Sequence, residues 1–370
     1  MRKFFINLLS TLPLLASAND GVFFVSGNQL VPVHETDIAV SKEVLTIGLS
    51  DNGFASVDVY YEFMNRGQEK TVQMGFEAEA PYNDGEPFSP QGIHPHIKDF
   101  VVEMNGQPLS YRNAVVATTI DGDTEFQPMD LSRWKVNDDW MGNVLWDEGI
   151  DSLQSYGYAY LFEATFKSGR NIVHHTYRYR MSFSVGECFS VPYWLKPALR
   201  WANRQIDDFT LRIKAENTTK HFCMADSLFS GQPFRIVEGK GKMRQVHHLR
   251  WDDVDVTYLE CVLRNGTVEW HADNFKPIDN ICIKSADILL PWQQDTKAED
   301  LQVYYDGGGS YYPWRFMPWS ESNNPDEIKD TFKARIIHNL PYAHRGHVFK
   351  NKKLKKFFEG QWWYMPEENY

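Results

Sequence analysis

The residues best equipped to do chemistry lie in the last 36 positions, Arg335 to Tyr370. Between Lys333 and Lys356 there are eight Lys or Arg and no Asp or Glu, in a chain of formal net charge −11. Arg335, Arg345, Lys353 and Lys356 can pair with phosphate or carboxylate groups. Tyr342, Trp363 and Tyr364 offer faces on which a sugar ring can stack, and His344 and His347 offer polar edges. Together these nine residues form a candidate site for an anionic envelope polymer, such as a wall glycan, or for an envelope protein. The plainer reading is a solvated helix face that docks electrostatically on an acidic body, with its aromatic residues serving as core.

The spacing in this stretch predicts two short helices. Asn324-Pro325-Asp326-Glu327 has the form of a helix start, with a capping Asn, Pro at the first helical position and acids in the first turn. Ile328, Phe332 and Ile336 then recur every four residues and define one apolar face. Pro341 ends or kinks this helix near Leu340, because it lacks an N–H and disfavours helical geometry in the residue before it. Gly346 allows a turn. Asn351 caps a second helix in which Leu354 and Phe358 face inward and Lys352, Lys353, Lys355 and Lys356 face water. Phe349, Trp362 and Trp363 close the hairpin, which is too small to be stable alone and must pack against its neighbours.

The stretch Tyr342-Ala343-His344-Arg345-Gly346-His347-Val348-Phe349, followed by Leu354, Phe358 and Trp363-Tyr364-Met365-Pro366, resembles the YARHG domain over about 40 residues. The Arg and His of the family's name are exchanged here, and Pro341 stands where the family has an apolar helix former. The resemblance implies an extracellular bacterial module with no established activity.

Upstream, Met1 to Ala18 has the form of a secretory signal peptide: Arg2 and Lys3, an apolar run from Phe4 to Leu15, and Ala16-Ser17-Ala18 as a cleavage site. This predicts a mature chain beginning at Asn19, with no lipid-accepting Cys and no transmembrane segment, in the periplasm or outside the cell. Removing Arg2 and Lys3 takes the formal charge from −11 to −13. An acidic body of this kind argues against nucleic acid as the main partner.

The body, 19–303, reads as antiparallel β-sandwich, either one large or two smaller. Val57, Val59, Tyr61 and Phe63 alternate with polar residues, Asn65-Arg66-Gly67 turns the chain, and Val72, Met74, Phe76 and Ala78 alternate again, predicting a hairpin. Asn105-Gly106 marks a second hairpin after Phe100, Val102 and Met104. Ser168-Gly169 marks a third, between Tyr160–Phe166 and Val173–Phe183. The strand signal continues through Phe209–Ile213 and through Tyr258–Trp270, interrupted by Asn265-Gly266. Asp130 to Leu153 reads as a long loop. Residues 304–324 read as an aromatic Gly/Pro linker into the helical module 325–370. From Thr36 to Pro81 the pattern is similar to an uncharacterised family of exported bacterial β-domains, which implies an envelope location and no known chemistry.

No HExxH, GxSxG, Walker loop or GxGxxG is present, so the reading leans away from an enzyme and implies no cofactor. His94-Pro95-His96, His174-His175 and His247-His248 could reach a metal, but adjacent His on a strand face opposite ways, and no metal site is assigned. Asp121 to Glu125 lacks the spacing of a calcium loop. Cys188, Cys223, Cys261 and Cys282 permit two disulfides in any of three pairings, or four buried thiols. The leading function is non-catalytic binding. A hydrolase with a site assembled from distant residues, or a structural component of an envelope assembly, are the alternatives.

Overall fold

The structure is a computed structural model. It describes residues 18–26, 29–32, 36–80, 88–117, 127–136, 144–147, 149, 152–182, 187–249, 254–290, 297–305, 314–315 and 328–367. The signal-peptide segment up to residue 17, most of the 304–324 linker, Asp121–Glu125 and Asn324–Glu327 lie outside these.

Among the described residues, strands form an eleven-stranded and an eight-stranded sheet, with a further two-stranded pair. The larger runs in the order Ser190–Tyr193, Ile281–Ser285, Thr219–Ala225, Asp255–Phe275, Ile206–Ala215, Ile38–Leu49, Phe54–Asn65, Gly169–Arg180, Ile97–Met104 and Gln107–Pro108, and Arg235–Leu249 pairs with the long Asp255–Phe275 strand. The smaller sheet is centred on Ser152–Phe166 and Lys70–Glu79. One cluster of buried residues joins both sheets. It takes Val57, Val59, Tyr61 and Phe63 from the large sheet and Met74, Phe76, Phe162 and Phe166 from the small one. This is the mainly-β sandwich with a C-terminal helical pair that the alternating pattern predicts.

Pairing departs from the expected hairpins in three places. Phe54–Asn65 and Lys70–Glu79 are consecutive but lie in opposite sheets, so Asn65-Arg66-Gly67 is a corner. Asn65 is buried and holds it: its amide donates to the carbonyls of Gln68 (2.9 Å) and Phe166 (3.0 Å), and its Oδ1 accepts from Gly67 N. Ser168-Gly169 is likewise a crossing, from Ser152–Phe166 in one sheet to Gly169–Arg180 in the other. Asn265-Gly266 is no turn at all, because the strand runs unbroken from Asp255 to Phe275. There Asn265 and Gly239 both take positive φ and the two strands approach closely at a bulge. Turn residues permit a sharp bend or a bulge, and long-range packing decides which is used. Asn105-Gly106, by contrast, is the predicted tight hairpin, with φ of 51° and 75°. Among the described strands one pairing is parallel, Ile206–Ala215 with Ile38–Leu49.

The expected loop Asp130–Leu153 contains short strands, Lys135–Val136 and Val144–Asp147, at the edge of the small sheet. All four cysteines are free thiols. His94 and His96 are both buried among aromatic rings, their own rings 5.7 Å apart, whereas of the adjacent pair His175 is buried and His174 bonds Asp58, diverging as strand geometry requires.

The C-terminal helices are α1, Thr331–His344, and α2, Lys352–Glu359. Asp330 caps α1, its Oδ1 accepting from Phe332 N (2.8 Å) and Lys333 N (3.1 Å), so the described helix starts later than the Asn324 signal predicts. Ile328 lies before it, still buried. Pro341 does not end α1; the helix passes through it to His344. A proline here removes one backbone bond in the last turn, while Ile336, Ile337, Leu340 and Ala343 are fully buried and offset the loss. Asn351 caps α2 as predicted, accepting from Lys353 N and Leu354 N.

Candidate binding site

The local chemistry of Tyr342 to His347 is that of a helix terminator. Gly346 N donates to Ala343 O and His347 N to Tyr342 O, both 2.9 Å, with Gly346 at φ +96°. This is a Schellman arrangement, in which a left-handed glycine lets two amides turn back on the last carbonyls. The Tyr342 and His347 rings pack 6.2 Å apart on its outer side, the apolar contact that accompanies such caps. Ala343 and His344 face inward, and Arg345 projects to solvent.

The module is held by cations of the body reaching its backbone, the reverse of tail lysines docking on body acids. Arg264, in the middle of the long strand and 8% exposed, donates to Met365 O (2.9 Å) and to His344 O (3.1 Å), one of the orphan carbonyls at the end of α1. Lys242 Nζ donates to Trp362 O (3.1 Å) and Tyr364 O (2.7 Å), and burial pulls its pKa down. Lys240 and Arg264 both pair with Glu367. Arg244 lies over the Trp362 ring at 4.4 Å and donates to buried Glu260, which also bonds His221 at 2.7 Å. Burial works against the charged form of Glu260, but its His221 and Arg244 partners outweigh that and lower its pKa.

Trp363 and Tyr364, predicted as stacking faces, are 5% and 4% exposed. Trp363 Nε1 donates to Val303 O (2.9 Å) and the Tyr364 hydroxyl to His347 O (2.6 Å). They belong to a core that includes Leu301, Val303, Phe349, Phe357 and Phe358, and they present no ring to solvent. His344 is 4% exposed, and desolvation first, then the positive charges of its neighbours, push its pKa well below the usual value.

The charged members of the predicted set lie elsewhere. Arg335, Arg345, Lys353 and Lys356 are exposed, Tyr342 is 52% exposed and His347 half-buried. Lys353 and Lys356 line an open groove of about 580 Å³ whose apolar wall is Phe332 and Phe357 and whose rim carries Glu299 and Asp330. Among the described residues Lys352, Lys353 and Lys356 make no ion pair, and Lys355 meets only Glu359 of its own helix, at 3.8 Å. Arg345 lies apart from this groove, beside the junction of the module with the large sheet. The predicted set thus splits into a lysine groove, a buried core and the surroundings of Arg345. Arg264, Lys240 and Lys242 went unrecognised in the sequence, since cations on strands carry no local mark of a distant partner.

Fold and surface define a β-sandwich protein with a clamped basic helical module. Residues 18–232 match the Domain of unknown function (DUF4424), and the chain belongs to that family. Residues 317–370 match the YARHG domain. Among solved structures, a Legionella pneumophila protein provisionally named a nutrient binding protein is 17% identical with TM-score 0.50, over 95% of this chain and 93% of its own. This similarity shows a shared fold. An M1 zinc metallopeptidase from Deinococcus radiodurans is 10% identical over 68% of this chain and 43% of its own, with TM-score 0.26. No curated protein matches the chain. No helix among the described residues is long and apolar enough to cross a membrane.

Proposed function

We propose that the protein is an exported cell-envelope protein, periplasmic or extracellular, that acts without catalysis by holding an anionic envelope polymer through its C-terminal module. The observation that carries this reading is the lysine face of α2, whose Lys352, Lys353 and Lys356 are exposed and lack ion-pair partners among the described residues. A basic face that served only to dock the module would be paired with the acidic body, and the docking is done instead by Arg264, Lys240 and Lys242. Lys353 and Lys356 stand over a groove with an aromatic wall, which suits a chain of sugars carrying carboxylate or phosphate. The signal-peptide form of Met1 to Ala18 supports export. The nutrient-binding name of the Legionella protein is compatible with a binding role.

The test is co-sedimentation of the chain with purified peptidoglycan and with whole envelopes at low and high salt. Binding that weakens as salt rises, and that Lys353→Glu with Lys356→Glu abolishes, is the expected result. Binding unchanged by the double charge reversal rejects the lysine groove as the contact.

A further inference from the structure

We propose that the seam between the large sheet and the C-terminal module holds a second binding site, shaped for a small hydroxylated carboxylate of the sugar-acid class. The seam forms a half-open cavity of about 250 Å³ lined by Asp51, Asn217, Thr218, Asn265, His344 and Arg345, together with Arg264 and Tyr305. That volume lies just below the range of ordinary small-molecule pockets, roughly 300–1,000 Å³, so it accommodates a single unit and not a polymer chain.

Each polar wall has a definite capacity. Arg345 is exposed and makes no ion pair among the described residues, so its planar guanidinium is available to grip a carboxylate through two parallel bonds. Arg264 is not available in the same way, being committed to Met365 O, His344 O, Thr219 Oγ1 and Glu367. His344 is 96% buried, yet its Nε2 has no hydrogen-bond partner among the described residues. That nitrogen is itself closed off from solvent, so His344 contributes a ring wall to the cavity and no hydrogen bond to its contents. Asp51 already accepts from Lys220 Nζ (2.8 Å) and Thr218 Oγ1 (2.5 Å), one on each oxygen, and each oxygen keeps a further lone pair for a hydroxyl. The side chains of Asn217 and Asn265 stand exposed at the rim, both on left-handed backbone.

The surrounding charge selects against an amino acid. Lys220 and Arg264 are paired with Asp51 and Glu367, so the uncompensated charge at the cavity is that of Arg345, which repels an ammonium. Asp51 offers little in return, because Lys220 already neutralises it. A carboxylate bearing hydroxyls can engage Arg345, Asp51 and the rim residues Asn217 and Asn265; a neutral sugar leaves Arg345 unused.

The experiment is titration of the full chain at neutral pH with glucuronate, glucose and glutamate, followed by tryptophan fluorescence, since the Trp363 ring lies 6.1 Å from the His344 ring. Glucuronate is expected to bind saturably, with glucose, which lacks the charge-assisted contact to Arg345, and glutamate, which carries an ammonium and lacks the hydroxyls, each weaker by about tenfold or more. Arg345→Ala, at an exposed position, is expected to weaken glucuronate by a similar factor, and the His344 ring nitrogen resonance is expected to shift on binding. Absence of saturable glucuronate binding, equal binding of glutamate, or indifference to Arg345→Ala overturns the proposal. The site stands independently of the lysine groove: Lys353→Glu with Lys356→Glu is expected to leave glucuronate binding intact, and a parallel loss would show that the two sites are one.

Discussion

Replacing Gly346 with Ala tests whether the helix terminator is also the point at which the module is locked to the body. Gly346 sits at φ +96°, and a Cβ built there meets Arg264 Nη1 at 2.5 Å and Met365 O at 2.9 Å. Gly231 sits at φ +95° with nothing within 4 Å of the same atom. The two substitutions therefore share the backbone strain, about 1–2 kcal/mol for an L-residue in left-handed geometry. Only Gly346→Ala must also displace a buried arginine from the carbonyl it serves. A hydrogen bond to a charged group contributes roughly 1.5–3 kcal/mol, so Gly346→Ala should cost about 2 kcal/mol more than Gly231→Ala. That difference corresponds to a roughly 30-fold shift in the folding equilibrium. Urea denaturation followed by tryptophan fluorescence measures it, because Trp362 and Trp363 lie in the affected module. Limited proteolysis should release the C-terminal segment from Gly346→Ala before the body is cut. Equal destabilisation by the two variants would refute the reasoning, since it would mean that Arg264 swings aside without loss.

Module docking should also weaken on mild acidification. His344 faces Lys220 and His221 from one strand, Arg264 from another, Arg345 from its own helix end, and Asp51 and Tyr305 across the seam. Its folded pKa is depressed, so the unfolded state takes up a proton near pH 6.5 while the folded state does not. Stability is then flat above about pH 6.5 and falls below it, by up to about 1.4 kcal/mol per pH unit. His344→Gln should remove that part of the slope; a wild-type slope in the variant would show that other groups carry it. The thiols give a further prediction. Burial raises Cys223, Cys261 and Cys282, the last to about 12, so little thiolate exists at neutral pH. Labelling with iodoacetamide should leave the fully buried Cys223 and Cys261 unmodified until denaturant is added, with the half-buried Cys282 slowed by its raised pKa, and the unreduced chain should then take up four labels. Rapid labelling of Cys223 or Cys261 in the native chain, or fewer than four labels after unfolding without reductant, would contradict this account.

The local elements were legible from the sequence because their causes are local. Alternation in Val57–Phe63 and Phe76–Ala78 marks strands with one buried face, and Asn105-Gly106 marks a turn whose backbone angles few other pairs adopt. Asn351 marks the start of α2 because its side chain serves amides only two and three residues away. The lysine face of α2 was legible for the same reason, as one side of a helix whose other side is Leu354, Phe357 and Phe358. The motif Tyr342–His347 signals a left-handed glycine, which the structure uses to stop α1.

What tertiary structure decided is which element meets which. The turn signals at Asn65-Arg66-Gly67 and Ser168-Gly169 allow either a hairpin or a crossing between sheets. Only the packing of Phe63, Phe76 and Phe166 in one shared core selects the crossing. Arg264 resembles any other strand cation in the sequence, and its role exists because the chain brings it 80 residues away in sequence to the carbonyl of His344. Trp363 and Tyr364 look in sequence equally able to bind a sugar or fill a core. Their burial follows from Val303 and His347 supplying acceptors for their polar atoms, which lets the rings leave water at little cost. Sequence by itself determined the long alternating strands, the Asn351 cap and the basic face, since these rest on propensity and periodicity over a few residues. The corners, the clamp and the seam cavity depend on contacts between residues far apart in the chain, and only the folded structure supplies those.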